Sequence, residues 1–362
     1  MTKTNRINPK FSTGENNFYQ TLRKRTHQYF EENEISVHAN SGMVFKTIAM
    51  SALYIVPFVL AMTVIVHPFW FWTMWILMGL GASGVGLCVM HDANHGAYSS
   101  NSKVNTVLGH VLYLLGGCSA FWKIQHNVLH HTYTNVHDYD EDISRAKILR
   151  FSPRAPKKNI HRYQHYYAWP LYCLMTISWI TTKEFSQLYE FRDKGLIKGK
   201  NTFFKLWVEV VLSKLFYYGL FLALPILILP FNPWFIVLCF ISMHLVSGLV
   251  LSLVFQPAHV MPDNDFPEFD EDGRLENNWA IHQILTTANF GQNQRFLSWC
   301  LGGLNFQIEH HLFPSICHVH YRKLSPIVKQ TAEEYQLPYQ SEKTWWSAIV
   351  KHGHMLRTLA KN

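Results

Sequence analysis

The chain has 362 residues, 48% of them apolar and only 15% charged, against the roughly 25% charged residues usual in soluble domains. Its formal net charge of +8 comes with no basic stripe set in a recognisable nucleic-acid module, so the balance points to a membrane surface and against nucleic-acid binding. The six cysteines contain no C-x-x-C pair, which argues against an iron–sulfur or zinc-ribbon site and for buried free thiols.

Residues 1–42 form a polar, basic segment in which Asn16 to Glu32 carries Phe18, Leu22 and Phe30 in a loosely helical pattern, predicting an interfacial helix. The first apolar run begins only near Met43, so no cleavable signal peptide is expected. No Asp, Glu, Lys or Arg occurs from Thr47 to Met90, or from Leu215 to Pro262. One crossing of a ~30 Å hydrocarbon layer needs about 20 residues, so each stretch holds two. Turns fall at His67-Pro68 and at Pro230-Phe231-Asn232-Pro233. The spans are therefore predicted at 44–66, 69–90, 208–230 and 233–256, within one membrane domain covering 43–362.

All 32 Lys and Arg avoid both mid-stretch turns, which by the positive-inside rule puts the turns outside and both termini in the cytosol. Between the second and third spans, Val107–Trp122 and Tyr167–Ile180 are apolar but short, and His110, Gly116-Gly117 and Pro170 interrupt them. They are predicted to lie in the interface or re-enter. The fold class is all-α integral membrane, with four spans in two hairpins, interfacial helices and a cytosolic helical cap.

Histidine supplies the chemistry. His91-Asp92-Ala93-Asn94-His95 follows the second span, and if that helix runs about one more turn, His91 and His95 share a face and can bind one metal. His126-Asn127-Val128-Leu129-His130-His131 repeats the i, i+4 pair and adds a neighbour about 100° around the helix, so that the adjacent pair could feed two metals. In Gln307-Ile308-Glu309-His310-His311 the glutamine sits three and four residues before the histidines, where all three side chains can converge. His259, just past the fourth span, lies at about the depth of His91. Eight imidazoles are too many for one tetrahedral zinc and fit two metals with about four ligands each. Imidazole alone does not choose the metal.

A ligating imidazole usually passes its other N–H to a carboxylate or carbonyl. Asp92 and Glu309 lie inside the clusters, and Asp138 opens the acidic run with Asp140, Glu141 and Asp142. Of the other histidines, His27, His38, His161, His165, His352 and His354 fall in polar stretches and are expected in solvent, with His67 in an external turn. His244 is expected to be a hydrogen-bonded group between helices. His110, His137, His282, His318 and His320 are candidates for a pocket or for holding a ligand.

Taken in order, H-D-x-x-H, H-x-x-x-H-H and Q-x-x-H-H around two membrane hairpins resemble the membrane fatty-acid desaturases, from about Phe18 to Tyr339. The string Trp299 to Pro314 is similar to the third box of the front-end group, in which Gln307 stands where other desaturases have histidine. Cys317-His318-Val319-His320-Tyr321 and Leu337-Pro338-Tyr339 look like bacterial enzymes named linoleoyl-CoA desaturases. The resemblance implies a di-iron site with His91, His95, His126, His130, His131, His259, His310 and His311 as iron ligands. It makes Gln307 a ninth ligand or a supporting group, and no further catalytic residue is expected. Many front-end relatives carry a fused cytochrome b5 domain with an H-P-G-G haem motif. Neither that motif nor a Gly-rich dinucleotide fingerprint occurs here, so electrons are expected from a separate ferredoxin or cytochrome b5 type of donor.

Unactivated methylene C–H bonds are beyond side-chain acids and bases, so metal-activated oxygen is required, with O2 as co-substrate leaving as two waters. The acyl substrate, on CoA or a lipid, offers no polar handle near those carbons, so a narrow apolar channel must measure position. Trp70, Trp72, Trp75 and Phe255 are candidates to line it. Trp279, Thr286, Thr287 and Asn289 are candidates for its mouth. Rival readings are a hydroxylase or ketolase on the same scaffold and, further off, a metal transporter, which would need ligands in mid-membrane.

Overall fold

A computed structural model describes residues 10–12, 17–145 and 147–361. Asn16, where the first helix is expected to begin, lies outside the described residues, as does much of the segment before it.

Four helices have the length and composition to cross a membrane: α2 (Ser41–Thr63), α3 (Pro68–Asn94), α8 (Lys200–Ile228) and α9 (Pro233–His259). Before them comes α1 (Phe18–Glu32). Between α3 and α8 lie α4 (Ser102–Leu115), α5 (Ser119–His130), α6 (Gln164–Cys173) and α7 (Glu184–Asp193). After α9 come α10 (Trp279–Thr286), α11 (Gln307–Leu312), α12 (Tyr321–Glu334) and α13 (Trp345–Lys361). Two two-residue parallel strand pairs, Lys10–Phe11 with Arg274–Leu275 and Asn289–Phe290 with Ser341–Glu342, tie distant loops together.

Local chemistry sets the span limits. The Asn40 side chain accepts from Met43 N to cap α2, and Asn232 caps α9 by accepting from Trp234 N. Pro68 and Pro233 occupy first helical positions, where their missing N–H costs nothing. The inner pair is α3 and α9: the most apolar windows are 67% and 50% buried, against 28% for α2 and α8. Gly79 permits the close crossing, because a Cβ there would stand 2.6 Å from the Met243 carbonyl oxygen. At the same crossing Ser83 Oγ donates to Ser247.

Neither interrupted segment runs as one straight helix, and the first has the bend of a re-entrant pair. α4 and α5 are bent by 106° at Gly116-Gly117. The bend is held from inside: Lys214 of α8, buried, pairs with Glu184 at 2.6 Å and donates to the Gly116 carbonyl, while Glu184 accepts from Cys118 N and Trp179 Nε1. The segment from Tyr167 to Ile180 runs along α9 with its polar groups satisfied there. Ser252 donates to the Tyr172 carbonyl, and Thr176 donates to that of His244, fifteen residues and roughly 20 Å below His259 along the helix. α1 packs on the cap, burying Phe18, Leu22 and Phe30 with Ile308, Leu324 and Val328.

Candidate metal centre

All three histidine clusters and His259 meet where α3 and α9 end. α3 carries the first. Its last turns switch to a π-helix over Val85–Met90, with His91 N–H donating to the Gly86 carbonyl, before α-helical geometry resumes from His91 to Asn94. This brings the His91 and His95 rings to 4.7 Å. The second cluster also sits on a π-helix, Lys123–His130, in which His131 N–H reaches the His126 carbonyl at 2.9 Å. Such local widenings recur at functional sites. The third cluster is carried to α3 by Gly302 and Gly303, whose φ of +62° and +65° suit glycine, and a Cβ on Gly302 would stand 2.5 Å from the Leu87 carbonyl oxygen.

Two centres result. His91, His95, His126 and His310 place ligating nitrogens within 4.8 Å of one another, and so do His130, His259 and His311. His131 joins the two, grouping with His310 and His311. The π-helix keeps the expected pair together, with His126, His130 and Asp142 within 4.8 Å, while turning its two rings towards different groups. The Nε2 of His126 lies 3.2 Å from those of His91 and His131, while the His130 ring packs on His259 and His311 at 4.7 and 5.0 Å.

The rings fit bound cations. Outward-facing Nδ1 atoms are taken: His130 donates to Asp140, His311 to the Gln283 side-chain oxygen, and His310 meets the Tyr321 hydroxyl. Their Nε2 atoms therefore face inward, that of His311 as a lone pair. Nε2 atoms meet in pairs at 3.0 Å (His131 and His310) and 3.2 Å, and the buried Nε2 atoms of His95, His259 and His311 have no partner. Facing lone pairs repel unless a cation lies between them, and neutral imidazole nitrogen is the donor that iron, zinc or copper takes. Burial and then neighbouring rings hold His95, His126, His131, His310 and His311 below the usual histidine range, so these rings are neutral. His130 is the exception. Burial opposes its charge, but the Asp140 carboxylate outweighs that and lifts it to about 9.

The supporting residues differ in part from those expected. Asp138 is exposed and lies 3.6 Å from His137; the carboxylate on His130 is Asp140. Glu309, buried and pushed up to about 7 by that burial, turns away from the rings and accepts from Tyr339 (2.6 Å) and Asn289 (2.8 Å). Asp92 stands 3.7 Å from His91 Nδ1 and accepts from His318. Gln307 is buried beside His259 and donates to the Leu304 carbonyl. Gln283, which the sequence pattern did not single out, bridges two clusters by donating to the His131 carbonyl and accepting from His311. As an uncharged residue in the mostly apolar α10 it carried little signal. His161 and His352, expected in solvent, are buried: His352 bonds the Tyr172 hydroxyl and the Val260 carbonyl. Mid-span His244 is held by Tyr217 and Thr176.

An apolar channel borders the histidines. A mouth of about 550 Å³ is edged by His126, Asp142, Arg145 and Lys147, and a narrower inner cavity runs past His91 towards Met243, His244 and Ser247. Trp122, Met175, Trp179 and Phe255 wall both. Trp70 and Trp72 instead point outward, and Trp75 packs in the core. The expected mouth residues serve the clusters: Trp279 donates to the His131 carbonyl, Thr286 and Thr287 donate back along α10, and Asn289 holds Glu309.

Residues 67–343 match the family model described as fatty acid desaturase. The chain is 33% identical to the sn-1 linoleoyl-lipid 6-desaturase of Arthrospira platensis, over 95% of this chain and 93% of that one. It is 34% identical to the protein of the same name from Synechocystis sp., over 96% and 97%, and 32% identical to the acyl-lipid (8-3)-desaturase of Physcomitrium patens, over 95% and 72%. With its histidines gathered beside an apolar channel and a family match over most of its length, this chain belongs to the fatty acid desaturase family.

Proposed function

We propose that the protein inserts a cis double bond near the carboxyl end of a lipid-linked fatty-acyl chain, using two iron ions held by His91, His95, His126 and His310 on one side and His130, His259 and His311 on the other, with His131 between. The observation that carries this reading is that the first histidine group borders an apolar channel through His91 and His126, with the second group packed directly behind it. When bound, the irons supply oxidising power drawn from O2 and from two electrons of a separate ferredoxin or cytochrome b5 type of donor. The protein's part is positional. Trp122, Trp179 and Phe255 confine the chain and exclude water, and Arg145 and Lys147 at the mouth suit an anionic headgroup. Asp140 and Gln283 hold His130 and His311 with Nε2 inward. Gln307 supports His259. Relatives named for lipid-linked substrates favour a glycerolipid over CoA, and the charge-free turns support a cytosolic side for the clusters and both termini.

Lipid analysis by gas chromatography and mass spectrometry of a host expressing the wild type beside His130→Ala tests this. The wild type yields an acyl chain lighter by two hydrogens with a new double bond on the carboxyl side, and the variant yields none. A product heavier by one oxygen would make the protein a hydroxylase, and the same product from the variant would refute the ligand set.

A further inference from the structure

Lys46 lies one turn into α2, where a lysine is only 4% exposed, and its ammonium has no carboxylate within salt-bridge distance among the described residues. Burying a cation is unfavourable unless it is paired and hydrogen-bonded. Beside the Trp299 ring, 5.7 Å away, its hydrogen-bond partner is His318, in the Cys317-His318-Val319-His320 run, whose Nε2 is 2.8 Å from Lys46 Nζ. An ammonium has donors and no acceptor, so His318 Nε2 must accept, and the ring proton is forced onto Nδ1. That Nδ1 donates to Asp92 Oδ2 at 2.8 Å, and the His318 backbone N–H reaches the same oxygen at 3.1 Å. The other oxygen of Asp92 faces His91 Nδ1 at 3.7 Å. His91 Nδ1 makes no hydrogen bond and has this carboxylate oxygen as its nearest charged group, while its Nε2 points at His126 Nε2.

We propose that Lys46 and His318 are positioning residues that set the tautomer of His91 through Asp92. Three polar groups from α2, the loop before α12 and α3 are thus arranged in line. Lysine fixes where the His318 proton sits, that proton fixes the carboxylate, and the carboxylate favours a proton on His91 Nδ1, leaving Nε2 free to bind a metal. The first histidine group is thereby held by a chain that the second does not share, since His130 relies on Asp140. The inference rests on the metal reading above.

The test is anaerobic titration of metal-free protein with iron(II), with Mössbauer spectra of the loaded samples. The wild type takes up two irons. Lys46→Met binds one of them about 10- to 100-fold more weakly, as loss of such a support does elsewhere, and that iron's doublet alone changes. Lys46→Arg, which keeps a donor-only cation, restores both. Wild-type affinities and spectrum in Lys46→Met, or equal weakening of both irons, would overturn the proposal while leaving the metal reading standing. A wild type that takes up no iron would overturn both. Should Lys46→Met fail to fold, the wild type answers alone: nitrogen-15 shifts of the His318 ring, assigned with His318→Gln, must report the proton on Nδ1, and a proton on Nε2 would refute the chain.

Discussion

At His130 two opposing effects meet on one ring. Burial disfavours its charge, the Asp140 carboxylate favours it more strongly, and its pKa rises to about 9 while the rings of the other group stay neutral. A metal on Nε2 must displace that proton. Metal binding at neutral pH is therefore expected to release about one proton from the His130 group, with affinity rising roughly tenfold per pH unit until pH 9 and levelling above it. Titration calorimetry in buffers of different ionisation enthalpy counts the proton; uptake without release would refute the assignment. The histidines themselves were legible because their spacing and order are unusual. Their supports were less so. An acidic run says that a carboxylate is near, but Asp138 and Asp140 differ only in which of them the backbone turns inward. Gln283 reaches the His131 carbonyl and Lys46 reaches His318 over more than a hundred residues along the chain.

Among elements, the spans were the most readable part, since a charge-free run of the right length has few other uses. The π-helices were not. An α-helical spacing rule puts His126 with His130, and the wider turn also brings His126 against His91 and His131. The third span also begins earlier than the charge-free run. Lys214 and Glu209 lie inside it, tolerated because Lys214 is paired with Glu184 and Glu209 accepts from the Tyr113 hydroxyl. Lys214→Met leaves Glu184 buried without its cation and is expected to cost about 3–5 kcal/mol. Lys214→Met with Glu184→Gln should recover part of that loss. Thermal unfolding in detergent measures both, and a single variant as stable as the wild type would show that the pair does not hold the bend at Gly116-Gly117.

At the scale of the molecule, two hairpins and a cap enclose a channel whose polar end meets the histidines and whose inner end stops at Met243, His244 and Ser247. The floor is rigid, because His244 is bonded on both sides by Tyr217 and Thr176. Ser247→Phe should shorten the channel, so conversion of the longest acyl chains falls at least about tenfold while shorter ones are retained. Competition between acyl lengths reads this out, and equal loss at all lengths would place Ser247 outside the channel. The channel's existence followed from the chemistry of an unactivated chain, but its walls did not. Of the expected residues Phe255 lines it, whereas the aromatic residues of the second span face outward or pack in the core, and Trp122 and Trp179, from two other segments, complete the wall.

The central claim is that eight imidazoles hold two ions beside this channel, and anomalous diffraction at the iron edge from crystals of the anaerobically purified protein tests it most directly. The account predicts two peaks, one within about 2.0–2.2 Å of nitrogens of His91, His95, His126 and His310, the other similarly placed against His130, His259 and His311. A single peak, or a peak on the separate Asp92, Cys317 and His318 group, would contradict it.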